Sequence, residues 1–438
     1  MASAAVSSRS VPYWPKDIPE QLGLKHVTTP TWTQTSPAAE IAFHPDRALY
    51  EARRERRLRE GGLQHTVPDG WPQKFEGPIA WTGKDLVDEA QYVYQLSAAD
   101  KLEIKRALAG VQGKSYDEIT SATFELPLLG PQLRKIQKQV YHGIGFAVVR
   151  GLNVDELSPD ECQRIFLGCS SYLAAQRGPQ NQDGDQLLHL TDYGRVDSDV
   201  DLPIHTDITC DIVATLTIKC STYGGEAALA STWTIYNELA ATRPDLIHVL
   251  ARPDWPFDTY GRDPAYYNRA ILFHHEGKAF MNFSRRVLTG HPISGRTLRI
   301  PSLTEAQAEA LDAVHFTAQK HKLNFATEKG EMRFINNFAL LHGREAYSDK
   351  ENFEASRLSC EDEMARRSQR HLLRMWLHDE QMVWKLPPAL KLVWARAFHD
   401  PNRSRRWRSP ILPLEVGPKP GPPPPPKPNP QPIPAPCD

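Results

Sequence analysis

The chain has 438 residues and a formal net charge of −1, with 40% apolar and 24% charged residues. That balance suits a folded protein with a sizeable core, and it offers no long basic block for nucleic acid or an anionic membrane surface. No apolar run approaches the roughly 20 residues that cross a bilayer, and MASAAVSSRSVPYWPKD lacks the apolar segment of a secretory leader. Six cysteines (Cys162, Cys169, Cys210, Cys220, Cys360, Cys437) stand without paired spacings. They read as reduced thiols, so a cytoplasmic protein is expected, and homo-oligomerisation is left open.

In chain order, residues 1–85 read as an arm that wraps the main body, because Trp14, Trp32, Trp71 and Trp81 need somewhere to bury their rings. Within it, PDRALYEARRERRLREGG reads as a helix whose arginines face solvent. LSAADKLEIKRALAG opens on Ser97 and Asp100, a capping-box start with Leu96 as a staple. GIGFAVVRGL (143–152) is an apolar run bounded by glycines and reads as a buried strand. LSPDECQRIFLGCSSYLAAQ is a helix with Ser158 as cap, Pro159 at the first position and Glu161 reaching back. DIVATLTIKC reads as a strand, and GGEAALASTWTIYNELAATRPDLIHVLA as a strand followed by a helix. YYNRAILFHHEGKAFMNFSRR is a hairpin turning at Glu276-Gly277, and PSLTEAQAEALDAVHFTAQKHKL a helix capped near Thr304. GEMRFINNFALLHGR and RHLLRMWLHD read as the last two strands. GPKPGPPPPPKPNPQPIPAPCD is too rich in proline for ladder or helix; it reads as an extended tail, inert or a ligand for an SH3-type or WW-type partner.

Strands separated irregularly by helices, without βα alternation, predict an α+β chain that is mainly antiparallel β. The expected architecture is an antiparallel sandwich or a double-stranded β-helix (jelly roll), decorated with helices, over 86–415, between the arm 1–85 and the tail 416–438.

LPIHTDITCDIV (202–213) places His205 and Asp207 two apart in an apolar, β-branched stretch. The spacing is not diagnostic, since His44-x-Asp46, His274-x-Glu276 and His378-x-Glu380 share it among 16 histidines. A mononuclear non-haem iron centre needs two imidazoles and one carboxylate on one side of the metal, leaving room for a cosubstrate and dioxygen. Two such ligands fit at one strand end, where alternate side chains share a face. The third must arrive from a distant strand, and FINNFALLHGREAYSD supplies His342 there.

These segments, with GIGFAVVRGL, GGEAALASTWTIYNEL and RHLLRMWL in the same order, resemble the taurine dioxygenase (TauD/TfdA) family of iron(II)/2-oxoglutarate oxygenases, which includes clavaminate synthase-like enzymes. The resemblance covers about residues 85–400; RPDLIHVL and LTEAQAEALDAV look most like fungal members. It implies that His205, Asp207 and His342 bind Fe(II), and that Arg370 takes the distal carboxylate of 2-oxoglutarate, with Arg374 toward substrate or cosubstrate. It implies oxidation of a small molecule by O2, with release of succinate and CO2. Asp207 points to hydroxylation, desaturation or oxidative cyclisation, because related halogenases lack that carboxylate. Two features depart from the family pattern. Arg370 lies 28 positions after His342, beyond an inserted polar segment that carries Arg357, Arg366 and Arg367. Ala227 stands where family members often place a hydroxyl that helps hold 2-oxoglutarate, leaving Ser231 or Thr232 to substitute. Asn181 and Gln182, and Asn282, Arg285 and Arg286, are further candidates for touching substrate.

A zinc hydrolase could use the same three ligands, but would need an added general base and no role for Arg370. A non-catalytic jelly-roll binding protein would not bring His205, Asp207 and His342 together.

Overall fold

The computed structural model describes residues 39–181, 183–191, 201–260, 264–292, 295–297, 300–348 and 370–407. The proline-rich tail, Trp14, Trp32, Gln182 and the inserted segment with Arg357, Arg366 and Arg367 lie outside the described residues.

The N-terminal helix α1 (Arg47–Glu60) is followed by β1 (Val93–Gln95), α2 (Ala98–Gly110), α3 (Leu129–His142) and β2 (Phe146–Arg150). Next come α4 (Pro159–Ser170), β3 (Gln176–Gly178), β4 (Leu187–Thr191), β5 (Leu202–His205) and β6 (Ile212–Lys219). The short β7 (Tyr223–Gly224) and β8 (Ala227–Ser231) lead into α5 (Thr232–Thr242) and α6 (Pro244–Ala251). Two antiparallel pairs follow, β9 (Trp255–Asp258) with β10 (Tyr266–Arg269), and β11 (Leu272–His275) with β12 (Lys278–Met281). After α7 (Arg286–Thr289) and α8 (Glu305–His321) come β13 (Leu323–Phe325), β14 (Met332–Asn336), β15 (Leu340–Arg344) and β16 (Tyr347–Ser348). β17 (His371–His378) and α9 (Pro388–Phe398) complete the described elements.

The larger sheet has the order β1-β2-β14-β6-β17-β3, with β4 also paired to β17; the smaller is β13-β8-β15-β5. Within these two sheets only β1 and β2 run parallel. The two sheets face each other as a jelly roll, mainly antiparallel and decorated with helices.

Both faces of the larger sheet are covered, which is why its strands read as unbroken apolar runs. Phe146, Val148, Val213, Ile335 and Trp376 point to the smaller sheet and share a core with Ile204, Leu229, Leu340 and Phe325. Their neighbours Ala147, Val149, Ala214, Phe334 and Met375 point the other way, into a second core under α2, α3 and α4.

Local rules account for the element boundaries. Ser97 with Asp100, Ser158 with Glu161, and Thr304 with Gln307 all form reciprocal capping boxes. Glu276 and Gly277 take φ of 49° and 71°, the left-handed pair that a two-residue hairpin turn requires. GEMRFINNFALLHGR, expected as one strand, is two. The Asn336 side-chain oxygen accepts hydrogen bonds from the backbone N–H of Phe338 (3.1 Å) and Ala339 (3.2 Å), turning the chain back. The single helix expected after β8 is likewise split, with Pro244 starting α6.

The expected solvent-facing arginine helix needs a larger correction. α1 packs on α8 through Arg53, which is 5% exposed and reaches Asp312 at 3.2 Å and Glu305 at 2.9 Å. Arg57 adds ion pairs to buried Glu309 and, at 3.7 Å, to Asp245. The composition of α1 hid this because its partners lie about 250 residues away. Of the arm's tryptophans, Trp81 is buried with its N–H donated to the Ile144 carbonyl at 2.7 Å, and Trp71 stacks on Tyr236.

Candidate active site

β5 ends at His205, and the chain then leaves the sheet in a loop that carries Asp207 to the start of β6. Side chains from outside the loop fix its course. Asn337 accepts from the Asp207 N–H at 2.8 Å and donates to the carbonyls of Asp207 (2.8 Å) and Cys210 (3.1 Å). Asn282 donates to the Ile208 carbonyl at 3.1 Å, and the Thr206 hydroxyl accepts from the Phe283 N–H at 2.8 Å. The far end is anchored by fully buried Asp211, whose carboxylate accepts from Trp394 (2.8 Å), His378 (2.7 Å) and the Asp379 N–H (3.1 Å).

His342, in β15, pairs directly with His205 in β5. Each of His205, Asp207 and His342 thereby offers a ligand atom, all within 4.8 Å of one another. The two imidazole centroids are 4.4 Å apart, and His205 Nε2 lies 3.9 Å from Asp207 Oδ1. His205 Nδ1 is 2.9 Å from the Pro203 carbonyl, so the proton sits on Nδ1 and Nε2 keeps its lone pair for the cluster. His342 has a buried Nδ1 with no hydrogen-bond partner.

Charges around the cluster suit a cation. Burial opposes the Asp207 anion, yet Arg374, His342, His205 and the Trp376 N–H together hold its pKa below the ordinary carboxylate value. The Trp376 indole donates to Asp207 Oδ2 at 2.6 Å, and Arg374 lies 3.3 Å from the same oxygen. Burial and the neighbouring His205 push His342 down to about 3, and burial also lowers His205. Two neutral imidazoles beside an ionised carboxylate form the donor set that a divalent first-row metal prefers.

The cosubstrate candidates separate along β17. Arg374 pairs with Thr215 of β6 and sits at the cluster, its Nε donating to Gln180 at 2.8 Å. Arg370 lies just before β17, with its guanidinium 5.2 Å from the Tyr347 ring centre, beside a cavity of about 190 Å³ that Ser221, Gly225 and Thr327 also line. Thr232 begins α5 with its hydroxyl donated to the Phe338 carbonyl at 3.4 Å, and Ser231 donates to the Ile79 carbonyl at 2.5 Å. Both hydroxyls thus donate to backbone carbonyls.

Other singled-out residues are structural. Arg285 bonds Asp312 at 2.6 Å and the carbonyls of Ala42 and Phe43. Asn181 closes a turn on Asp185, His274 packs on Trp71 and Phe75, and His44 lies edge-on to Phe43. His378, one of the histidines that share the H-x-D/E spacing, is tied to Asp211. Reading the sequence missed Asn337, Asp211 and Trp376; the only signal was a polar residue within each apolar run, as in FINNF and TCDIV.

Two imidazoles and a carboxylate gathered between the sheets of a jelly roll define the class of mononuclear non-haem iron oxygenases. The chain belongs to the taurine catabolism dioxygenase TauD, TfdA family, whose profile matches residues 107–376. It is 31% identical over 363 residues to taurine hydroxylase-like protein SAT17 of Stachybotrys chartarum, covering 78% of this chain and 90% of that one. It is 25% identical over 320 residues to FR-33289 synthase of Streptomyces rubellomurinus, covering 69% and 90%. Among solved structures, asparagine oxygenase with Fe(II), hydroxyasparagine and succinate aligns at a TM-score of 0.49 and 13% identity, over 65% of this chain and 93% of that one. The protein is an Fe(II)/2-oxoglutarate-dependent dioxygenase that uses O2. Among the described residues no helix is long and apolar enough to cross a membrane.

Proposed function

We propose that this dioxygenase hydroxylates, desaturates or cyclises a small molecule at a C–H bond, with His205, Asp207 and His342 as the iron ligands. The observation that carries this reading is the convergence of three donor atoms, one each from β5, its loop and β15, within 4.8 Å. When bound, Fe(II) would activate O2 with 2-oxoglutarate as cosubstrate, one oxygen atom going to succinate as CO2 is lost and the other being available to oxidise the substrate. The chain's own residues bind and orient. Arg374 and Trp376 hold the Asp207 carboxylate in place, and Arg370 serves as a cation for the cosubstrate's distal carboxylate. Asp207 favours oxygenation or desaturation, since its carboxylate would hold the metal where a halogenating centre would leave room for halide.

For substrate, an anionic small molecule is supported by Arg286, an exposed arginine at the start of α7. A cytoplasmic setting is supported by Cys162, Cys169, Cys210 and Cys220, all free thiols. The test is anaerobic addition of Fe(II) and 2-oxoglutarate to the full chain, read by the visible charge-transfer band, then succinate release in air. The expected result is a band that His342→Ala and Asp207→Ala abolish. A band retained in both variants would overturn the ligand assignment.

A further inference from the structure

On the barrel-facing side of the larger sheet, four positions carry polar side chains in place of apolar ones: Arg333 on β14, Thr215 and Thr217 on β6, and Arg374 on β17. The register sets Arg333 opposite Thr215 and Thr215 opposite Arg374. Neighbours across such ladders have Cβ atoms about 5 Å apart, so the Arg333 and Arg374 positions flank Thr215 on one face.

Arg374 is engaged at the metal end through Gln180 and Asp207. Arg333 is not comparably engaged. It is 6% exposed, touches the Thr327 hydroxyl at 3.5 Å, and lies 3.5 Å from Glu331 with no hydrogen bond at Nε. Glu331 is shared with Arg150 at 3.4 Å, which itself pairs with Glu89 and Glu328. Among the described residues, the hydroxyls of Thr215 and Thr217 are buried without a hydrogen-bond partner. A desolvated guanidinium and two unpaired hydroxyls on one wall cost stability, and such groups persist where a ligand satisfies them. Burial also pushes the Arg333 pKa down, while Glu331 opposes that shift.

We infer that Arg333 and Thr215 form, from the larger sheet, a second anchor for the distal carboxylate of 2-oxoglutarate, opposite Arg370 and in place of the hydroxyl that Ala227 lacks. This rests on the proposed reading of the metal site. A planar guanidinium fork beside a hydroxyl matches the two oxygens of a carboxylate. Thr327, which Arg333 touches, also lines the cavity beside Arg370, so one threonine links Arg333 to that cavity's wall.

The test uses the full chain with Fe(II) under anaerobic conditions, titrated with 2-oxoglutarate and with 2-oxobutanoate, which lacks the distal carboxylate. The charge-transfer band gives the Kd for each, and urea unfolding gives stability. Arg333→Gln is expected to weaken 2-oxoglutarate roughly 10–100-fold, as loss of a charge-assisted bond does, with 2-oxobutanoate unchanged and Arg333→Lys recovering part of the loss. Thr215→Val removes a hydroxyl with no partner, so stability should not fall, while 2-oxoglutarate weakens by about 3–10-fold. Should Arg333→Gln fail to fold, Thr215→Val decides alone. Unchanged 2-oxoglutarate affinity, or equal weakening of both keto acids, overturns the inference. A wild-type protein giving no band with either acid overturns the metal-site reading instead.

Discussion

Asn337 clips the loop bearing Asp207 to the β14–β15 connection that leads to His342, so it should set both local stability and metal affinity. Asn337→Ala removes three side-chain hydrogen bonds and leaves the Asp207 N–H and the Cys210 carbonyl without their Asn337 partners. At roughly 1 kcal/mol net per bond plus the cost of an unsatisfied buried donor, the expected loss is about 3 kcal/mol. Asn337→Asp keeps an acceptor for the N–H but turns a carboxylate oxygen toward two carbonyls, and should be no better than the alanine variant. Because Asn337 orients the loop that carries Asp207 and supplies no ligand atom itself, Fe(II) or Co(II) affinity should fall about 10–100-fold. Asn336 is a built-in control. It is equally buried, but bonds the β14–β15 turn and the Val140 carbonyl rather than the Asp207 loop. Asn336→Ala should cost comparable stability with metal affinity within about 3-fold of wild type. Urea unfolding of metal-free protein and anaerobic metal titration measure the two effects. Equal metal loss in both variants, or wild-type behaviour of Asn337→Asp, would refute this reasoning.

The Trp376 N–H on Asp207 has a similar orienting part, so Trp376→Phe should weaken metal about 10-fold; unchanged metal titration would contradict it. For pH, His315 is held at about 3 in the folded chain by burial first and then by Arg285, Lys322 and Arg47, against about 6.5 unfolded. Above pH 6.5 both states are neutral there; as pH falls below it, the unfolded state alone takes the proton and stability drops. The loss reaches about 2 kcal/mol at pH 5, and His315→Leu should flatten the urea-midpoint slope between pH 7.5 and 5 in chelated protein. In the α1–α8 contact, Arg53→Ala should cost about 3–5 kcal/mol by leaving buried Asp312 short of a partner. Exposed Arg56→Ala should cost under about 1 kcal/mol, and equal unfolding midpoints for the two would sink the comparison.

What could be read from the chain, and what could not, follows from where each signal resides. Caps and the Glu276-Gly277 turn are local, carried by residues within four positions, and they are legible. The ligand set is intermediate. His205 and Asp207 share their spacing with three other pairs, so they and His342 stand out only through the order of several motifs along the chain. Contacts made by register are the hard part. A strand buried on both faces has no polar alternation, so Arg333, Thr215 and Arg374 look like scattered interruptions of apolar runs. Only the pairing of β14, β6 and β17 lines them up. The same blindness sent the arginines of α1 to solvent, since Glu305, Glu309 and Asp312 lie on one helix far downstream. Polar residues in a doubly covered strand are therefore the more informative sequence feature here than the H-x-D spacing. Burial there and at the strand ends is expensive, and such residues answer to partners: Asp211 to Trp394, His378, Tyr141 and the Asp379 N–H, Asn337 to the Asp207 loop, and, in the proposal above, Arg333 to a ligand carboxylate.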